Sequence, residues 1–128
     1  MDSIANFLTI IRNGVSRGKS SVRAPYSAQI AAIANILLQE GFIKAVVTVQ
    51  EQGHKKLEVV LKYVDGESAI HEIDRQSKPS LRVYRGVDNI RPVIGGLGLS
   101  ILTTNKGIIS HKQAKKLRVG GEVMCTVW

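Results

Sequence analysis

The hydrophobic period of the chain changes from helical to alternating at Gly41, and this switch restricts the fold more than any other feature. Before it, Ile4, Phe7, Leu8 and Ile11 fall at i, i+3, i+4 and i+7, the spacing of one helix face, with Asp2 or Ser3 as cap and Gly14 as stop. A short polar, basic loop over residues 16–20 leads to Val22 and Pro25. Ser27 then caps a second helix with the stripe Ile30, Ile33, Ala34, Leu37 and Leu38, ended by Gly41. After the switch, Ile43, Ala45, Val47 and Val49 share one face, with Lys44, Thr48 and Gln50 on the other. Gln52-Gly53 reads as a turn, and Leu57, Val59, Leu61 and Tyr63 alternate again. Two helices followed by a one-sided hairpin predict a small α/β layer.

Asp65-Gly66 is a second turn signal and opens a short strand around residues 69–73. Residues 75–80 carry no periodicity and contain Pro79, so they read as an ordered loop or linker. Leu81 to Arg85 alternates as a strand, and residues 91–98 read as turns. Leu99–Leu102 and Ile108-Ile109 are strand-like, separated by Thr103-Thr104-Asn105-Lys106-Gly107. Ser110 caps a short helix, His111 to Leu117, and Val123 to Trp128 forms a last strand after Gly120-Gly121. The fold class expected is α+β with two small domains. Residues 1–66 make a two-helix and β-hairpin domain, and residues 67–128 a β-rich domain with a short helix.

Charge divides the chain in the same way. Residues 1–74 hold eight Lys/Arg and eight Asp/Glu, whereas residues 75–128 hold ten Lys/Arg against Asp88 and Glu122, which accounts for the whole net charge of +8. A neutral half joined to a basic half points to one surface that meets a polyanion. The bland counterpart is a solvated basic surface, or an interaction module whose basic half meets an acidic protein. The lone Cys125 excludes an intramolecular disulfide and fits a reducing compartment. No secretory signal is visible at the start, and no run approaches the roughly 18 apolar residues of a membrane span.

Catalytic patterns are missing. His54, His71 and His111 lie in different elements without Cys or paired carboxylates at ligand spacing. Cys125 reads as a small buried hydrophobe in a strand. No serine sits in a nucleophile elbow, and the glycines at 95–98 do not open a helix after a strand, so neither a hydrolase nor a nucleotide-binding loop is indicated. The chain is therefore read as a non-enzyme, with no cofactor, metal or small-molecule substrate.

Four segments carry a family resemblance. Asp2-Ser-Ile-Ala-Asn-Phe-Leu-Thr-Ile-Ile-Arg-Asn13 resembles D-P-I-A-D-x-L-T-x-I-R-N, and Ser77-Lys-Pro-Ser-Leu-Arg-Val-Tyr-Arg85 resembles S-[RK]-P-G-L-R-x-Y-[KR]. Gly96-Leu-Gly-Leu-Ser-Ile-Leu-Thr-Thr-Asn-Lys-Gly107 is similar to G-L-G-[IL]-x-[IV]-[LV]-S-T-S-[KR]-G, and Gly120-Gly121-Glu122-Val-Met-Cys-Thr-Val-Trp128 to G-G-E-[VI]-[LM]-C-x-[VI]-[WA]. In register along the whole length, these resemble the ribosomal protein eight family of the small subunit.

The resemblance implies a two-domain protein that binds the central domain of small-subunit rRNA directly, supports its folding and assembly, and adjoins other small-subunit ribosomal proteins. The location implied is the ribosome of a bacterial cytoplasm or a plastid. It further implies that the C-terminal domain makes the main contact, on a widened minor groove. The residues carried over are Ser77, Lys78, Pro79, Tyr84, Arg85, Thr103, Thr104, Asn105, Lys106, Gly107, Gly121 and Glu122. Small hydroxyls and glycine suit a shallow A-form minor groove, which displays 2′-hydroxyls and base edges. Tyr84 could stack on a base or sugar, or pack under a loop. Glu122 could accept from a 2′-hydroxyl or base amino group, or pair within the protein with Lys116 or Arg118. Asn105 and Ser80 depart from the family pattern, which has serine and glycine at those places.

Overall fold

The computed structural model describes residues 2–90 and 96–128. The turns expected over residues 91–98 lie partly outside the described residues. The chain divides into two compact units, Ser3–His71 and Glu72–Trp128, the second including Asp2.

In the first unit, α1 spans Ser3–Ser16 and buries Ile4, Phe7, Leu8 and Ile11, the stripe that its spacing predicts. Gly14 is not its stop. The helix runs through it to Ser16, and the turn that follows is closed at Gly18, whose φ of 65° lets Gly18 N–H reach Val15 O and Lys19 N–H reach Gly14 O. Gly14 answers a packing demand instead, since a Cβ there would sit 2.4 Å from Val22 Cγ1 on the following strand. That strand, β1 (Ser21–Pro25), was not expected as a strand; Pro25 ends it on the sheet's edge, where a missing N–H is tolerated.

Helix α2 spans Ala28–Gln39, and the Ser27 hydroxyl accepts from Ile30 N–H at 3.2 Å. Its buried face takes Ile36 rather than Leu38, which is 37% exposed. Strands β2 (Ile43–Glu51) and β3 (His54–Leu61) join β1 in an antiparallel sheet of order β1-β3-β2. Gln52 and Gly53, with φ of 54° and 78°, make the turn between them.

The single apolar face expected for β2 does not form. A register shift between Ile43 and Ala45 inserts one residue, so Val46 and Thr48 lie opposite the buried Val59 and Leu57. Ala45, Val47 and Val49 therefore share the other face with Val60, Glu58 and Lys56, and Val47 is 45% exposed. A one-residue bulge turns every later side chain over. Asp65 and Gly66 then turn a minimal hairpin of β4 (Tyr63–Val64) and β5 (Glu67–Ser68). The strand expected at 69–73 does not form: residues 69–72 are irregular, and only Ile73 enters a strand, Ile73–Arg75 of the next unit.

The second unit is a sheet of order β6-β10-β8-β9, with β7 pairing β10 as well. Its strands are β6 (Ile73–Arg75), β7 (Tyr84–Arg85), β8 (Leu99–Thr104), β9 (Gly107–Ser110) and β10 (Gly121–Val127). Helix α3 spans His111–Leu117, capped by Ser110 accepting from Gln113 N–H at 3.2 Å. It covers a small core of Ile90, Leu102, Ala114 and Val123, with Val83, Ile109 and Val119 packed against it. Burying each such aliphatic chain contributes roughly 1.5–3 kcal/mol. A bulge between Val123 and Cys125 sets Val123 opposite Leu102 but Cys125 opposite Ile101, so β10 offers buried residues to both faces. The strand expected over 81–85 shrinks to Tyr84–Arg85. Lys78 and Leu81 instead bond to each other across a tight turn at Pro79-Ser80. Ser80 reaches this turn without a positive φ, the described non-glycine residues with one being Gln52, Asp65 and Arg118.

Candidate nucleic-acid interface

The candidate interface is built around the first residues of β10. Gly121 lies opposite Arg85, and Glu122 lies opposite Tyr84 on one side and Thr103 on the other. Direct cross-strand partners point the same way, so Tyr84, Glu122 and Thr103 share one face. Three segments far apart in sequence, residues 77–85, 103–107 and 121–122, thereby meet.

Glycine makes the meeting sterically possible. A Cβ on Gly121 would lie 2.2 Å from Thr103 O, and one on Gly120 would lie 2.4 Å from Arg85 O. No side chain fits where β10 threads between β7 and β8. These two glycines serve close approach, whereas Gly107, with φ of 101°, serves the hairpin turn.

The two threonines, expected in a loop, are the last residues of β8, and only Asn105-Lys106 form the turn. The Thr104 hydroxyl closes that turn, donating to Gly107 O at 2.9 Å and accepting from Lys106 N–H at 3.0 Å. Thr103 differs: its Oγ1 is buried and has no hydrogen-bond partner. Asn105, Lys106 and Gly107 are exposed.

On the other flank, Ser77 is fully buried, so its side chain reaches the surface only through Glu122. Its hydroxyl donates to Glu122 Oε2 and accepts from Val83 N–H at 3.1 Å. Arg82 Nη1 donates to the same carboxylate oxygen at 3.0 Å. Glu122 therefore takes neither Lys116 nor Arg118 as its ion-pair partner, because β10 runs antiparallel to the segment that carries Arg82. The Ser77 hydrogen bond, opposed by burial and helped by Arg82 and Arg75, holds the Glu122 carboxyl below its ordinary value. Sequence reasoning missed Arg82, although it stands two residues before Tyr84 in the alternating run 81–85. Tyr84 is 65% exposed and presents its ring outward; Lys78, Pro79 and Arg85 are exposed beside it.

Cys125 lies deeper in the same strand, where burial pushes its thiol up to about 12, so it stays a neutral hydrophobe. Among the described residues no helix is long and apolar enough to cross a membrane.

Comparison with known proteins agrees with this arrangement of motifs. The family model described as "Ribosomal protein S8" matches residues 2–128. The chain belongs to that family. A small ribosomal subunit protein uS8 from Ruegeria sp. (strain TM1040) is 47% identical over 128 residues, covering 99% of this chain and 98% of the relative. Those from Paracoccus denitrificans and Acidobacterium capsulatum are 46% and 44% identical, each over 99% of this chain and 97% of the relative. The family is one of structural ribosomal proteins, and the chain is not an enzyme.

Proposed function

We propose that this chain is an architectural component of the small ribosomal subunit that binds the central domain of small-subunit rRNA directly and supports its folding and assembly. Residues 67–128 act as the RNA-binding domain and residues 1–66 as a scaffold. The observation that carries this reading is the convergence of Tyr84, Glu122 and Thr103 on one face, flanked by the Asn105-Lys106 turn.

The chemistry follows from the shape of A-form RNA. Its minor groove is wide and shallow, so short side chains and bare backbone read it better than long cations do. The threonines, Asn105 and Gly107 provide such a surface, and the exposed Tyr84 ring offers a stacking plane. Lys78, Arg85 and Lys106 stand at the margin, within reach of phosphates. The cations of α3, Lys112, Lys115 and Lys116, supply longer-range attraction or meet neighbouring ribosomal proteins. The site of action is the ribosome of a bacterial cytoplasm or a plastid.

Nuclease footprinting of the full chain on its small-subunit rRNA tests this. Protection is expected over one irregular helical region of the central domain. Protection scattered along the RNA, or tight binding to an acidic protein with none to structured RNA, would overturn it.

A further inference from the structure

An acid at the centre of an RNA-binding surface needs a reason. Glu122 is one of two acids against ten cations in residues 75–128, and phosphate repels it. A carboxylate there helps only if it is aimed at hydrogen-bond donors, and Glu122 is held as if aimed. Ser77 and Arg82 both grip Oε2, and Ser77 is fixed in turn by Val83 N–H and by its own N–H donating to Val123 O at 3.0 Å. A serine this deeply buried, its hydroxyl engaged as donor and as acceptor, touches no ligand itself.

We infer that Ser77 and Arg82 are positioning residues that hold the Glu122 carboxylate as a ready acceptor for a donor on RNA, setting specificity for the groove over the phosphate chain. The inference rests on the RNA-binding reading above. A carboxylate accepts about four hydrogen bonds, and the grip of Ser77 and Arg82 falls on one oxygen, which leaves Oε1 for a ligand. The cross-strand neighbour Thr103 carries the buried hydroxyl that lacks a partner. A 2′-hydroxyl can donate to the open Oε1, so it suits this carboxylate. Tyr84, opposite Glu122 on the other side, would lie against the sugar or base.

The charged groups facing Glu122 favour its ionised form. Arg82 pairs with it, and Arg75 on β6 acts from further away, itself held by Asp2 at 3.0 Å and by Met124 O at 2.7 Å. The depressed carboxyl stays ionised as the solution is made mildly acid. Without Ser77 the carboxyl would protonate at higher pH, and RNA affinity would fail there too.

The test uses the full chain, a transcript of the small-subunit rRNA central domain, and an unrelated duplex RNA. Affinities are measured between about pH 3 and 8, with Glu122→Gln as the pH-insensitive reference that reports the RNA's own titration. Ser77→Ala and Arg82→Gln are expected to lower the preference for the transcript over the duplex by about tenfold. Ser77→Ala should also move the acid loss of affinity to higher pH, and Ser77→Thr should restore both. A merely structural role would lower the melting temperature and leave preference and pH profile alone. If Ser77→Ala does not fold, Arg82→Gln, at a half-exposed side chain, decides through the same preference measurement. Folded variants that keep the wild-type preference and acid profile overturn the inference while the RNA-binding reading stands. A wild-type chain with no preference for the transcript sinks that reading first.

Discussion

The two units of this chain solve the same packing problem with different surfaces. In Ser3–His71, two helices cover a three-stranded sheet, and the sheet's outer face is neutralised by ion pairs: Arg23 bonds both Glu51 and Glu58 across strands. In Glu72–Trp128, one seven-residue helix covers a larger sheet, and two glycines let β10 pass close against the backbone of its neighbours. On the RNA-binding reading proposed above, the contrast teaches that such a surface needs more than positive charge. The first unit carries eight cations against five acids and the second ten against five, so both are basic and charge alone separates them little. Close approach, rather than charge alone, distinguishes the second unit.

The largest expected effect comes from comparing glycines in the two units. Gly121→Ala forces a Cβ against the backbone of β8 and should cost about 2–4 kcal/mol, with RNA affinity lost alongside. Gly18→Ala meets open space and bears only the strain of its left-handed backbone, about 1–2 kcal/mol, with RNA affinity intact. Thermal unfolding and binding assays on both variants check this. Equal loss of binding would mean that the first unit takes part in recognition.

The two threonines sharpen the comparison within the second unit. Thr104→Val removes both bonds that close the turn and should weaken RNA binding by roughly ten- to a hundredfold, the equivalent of about 1–3 kcal/mol. Thr103→Val deletes a hydroxyl without a protein partner, so stability should hold or rise while RNA affinity drops about tenfold. A stable Thr103→Val chain that binds normally would remove Thr103 from the interface.

Salt gives a smaller and graded effect. Were all ten cations of residues 75–128 on phosphate, log affinity would fall with log salt at a slope of about nine; Lys78, Arg85 and Lys106 alone give about three. Arg82 is already engaged by Glu122, which argues for the shallower value. A slope near nine would make the basic helix the principal contact. The smallest effects are expected from Lys115→Ala, on exposed α3, and Arg23→Ala, in the ion cluster of the first unit: both should leave RNA affinity nearly unchanged at physiological salt. If Lys115→Ala proves more damaging than Thr104→Val, charge rather than close approach governs recognition.

Local chemistry made much of this molecule legible in sequence. The α1 stripe, the Ser27 and Ser110 caps, and the turns at Gln52-Gly53 and Asp65-Gly66 depend on neighbours within a few residues, and each appears where its pattern indicates. The charge division and the four family motifs likewise lie in linear order. Other features depend on partners that chain order does not reveal. The bulge after Ile43 is a property of the β2–β3 register, and it alone turned Val47 outward. Gly14 resembles a helix stop until β1 is seen lying against it. Ser77 and Glu122 are 45 residues apart, and no local pattern joins them. Their pairing, like the orphan hydroxyl of Thr103, follows from antiparallel strands that bring distant segments within hydrogen-bond reach. The sequence determined which local pieces form; the tertiary structure decided which hydroxyls are spent inside the protein, because a hydrogen bond is settled by distance in space.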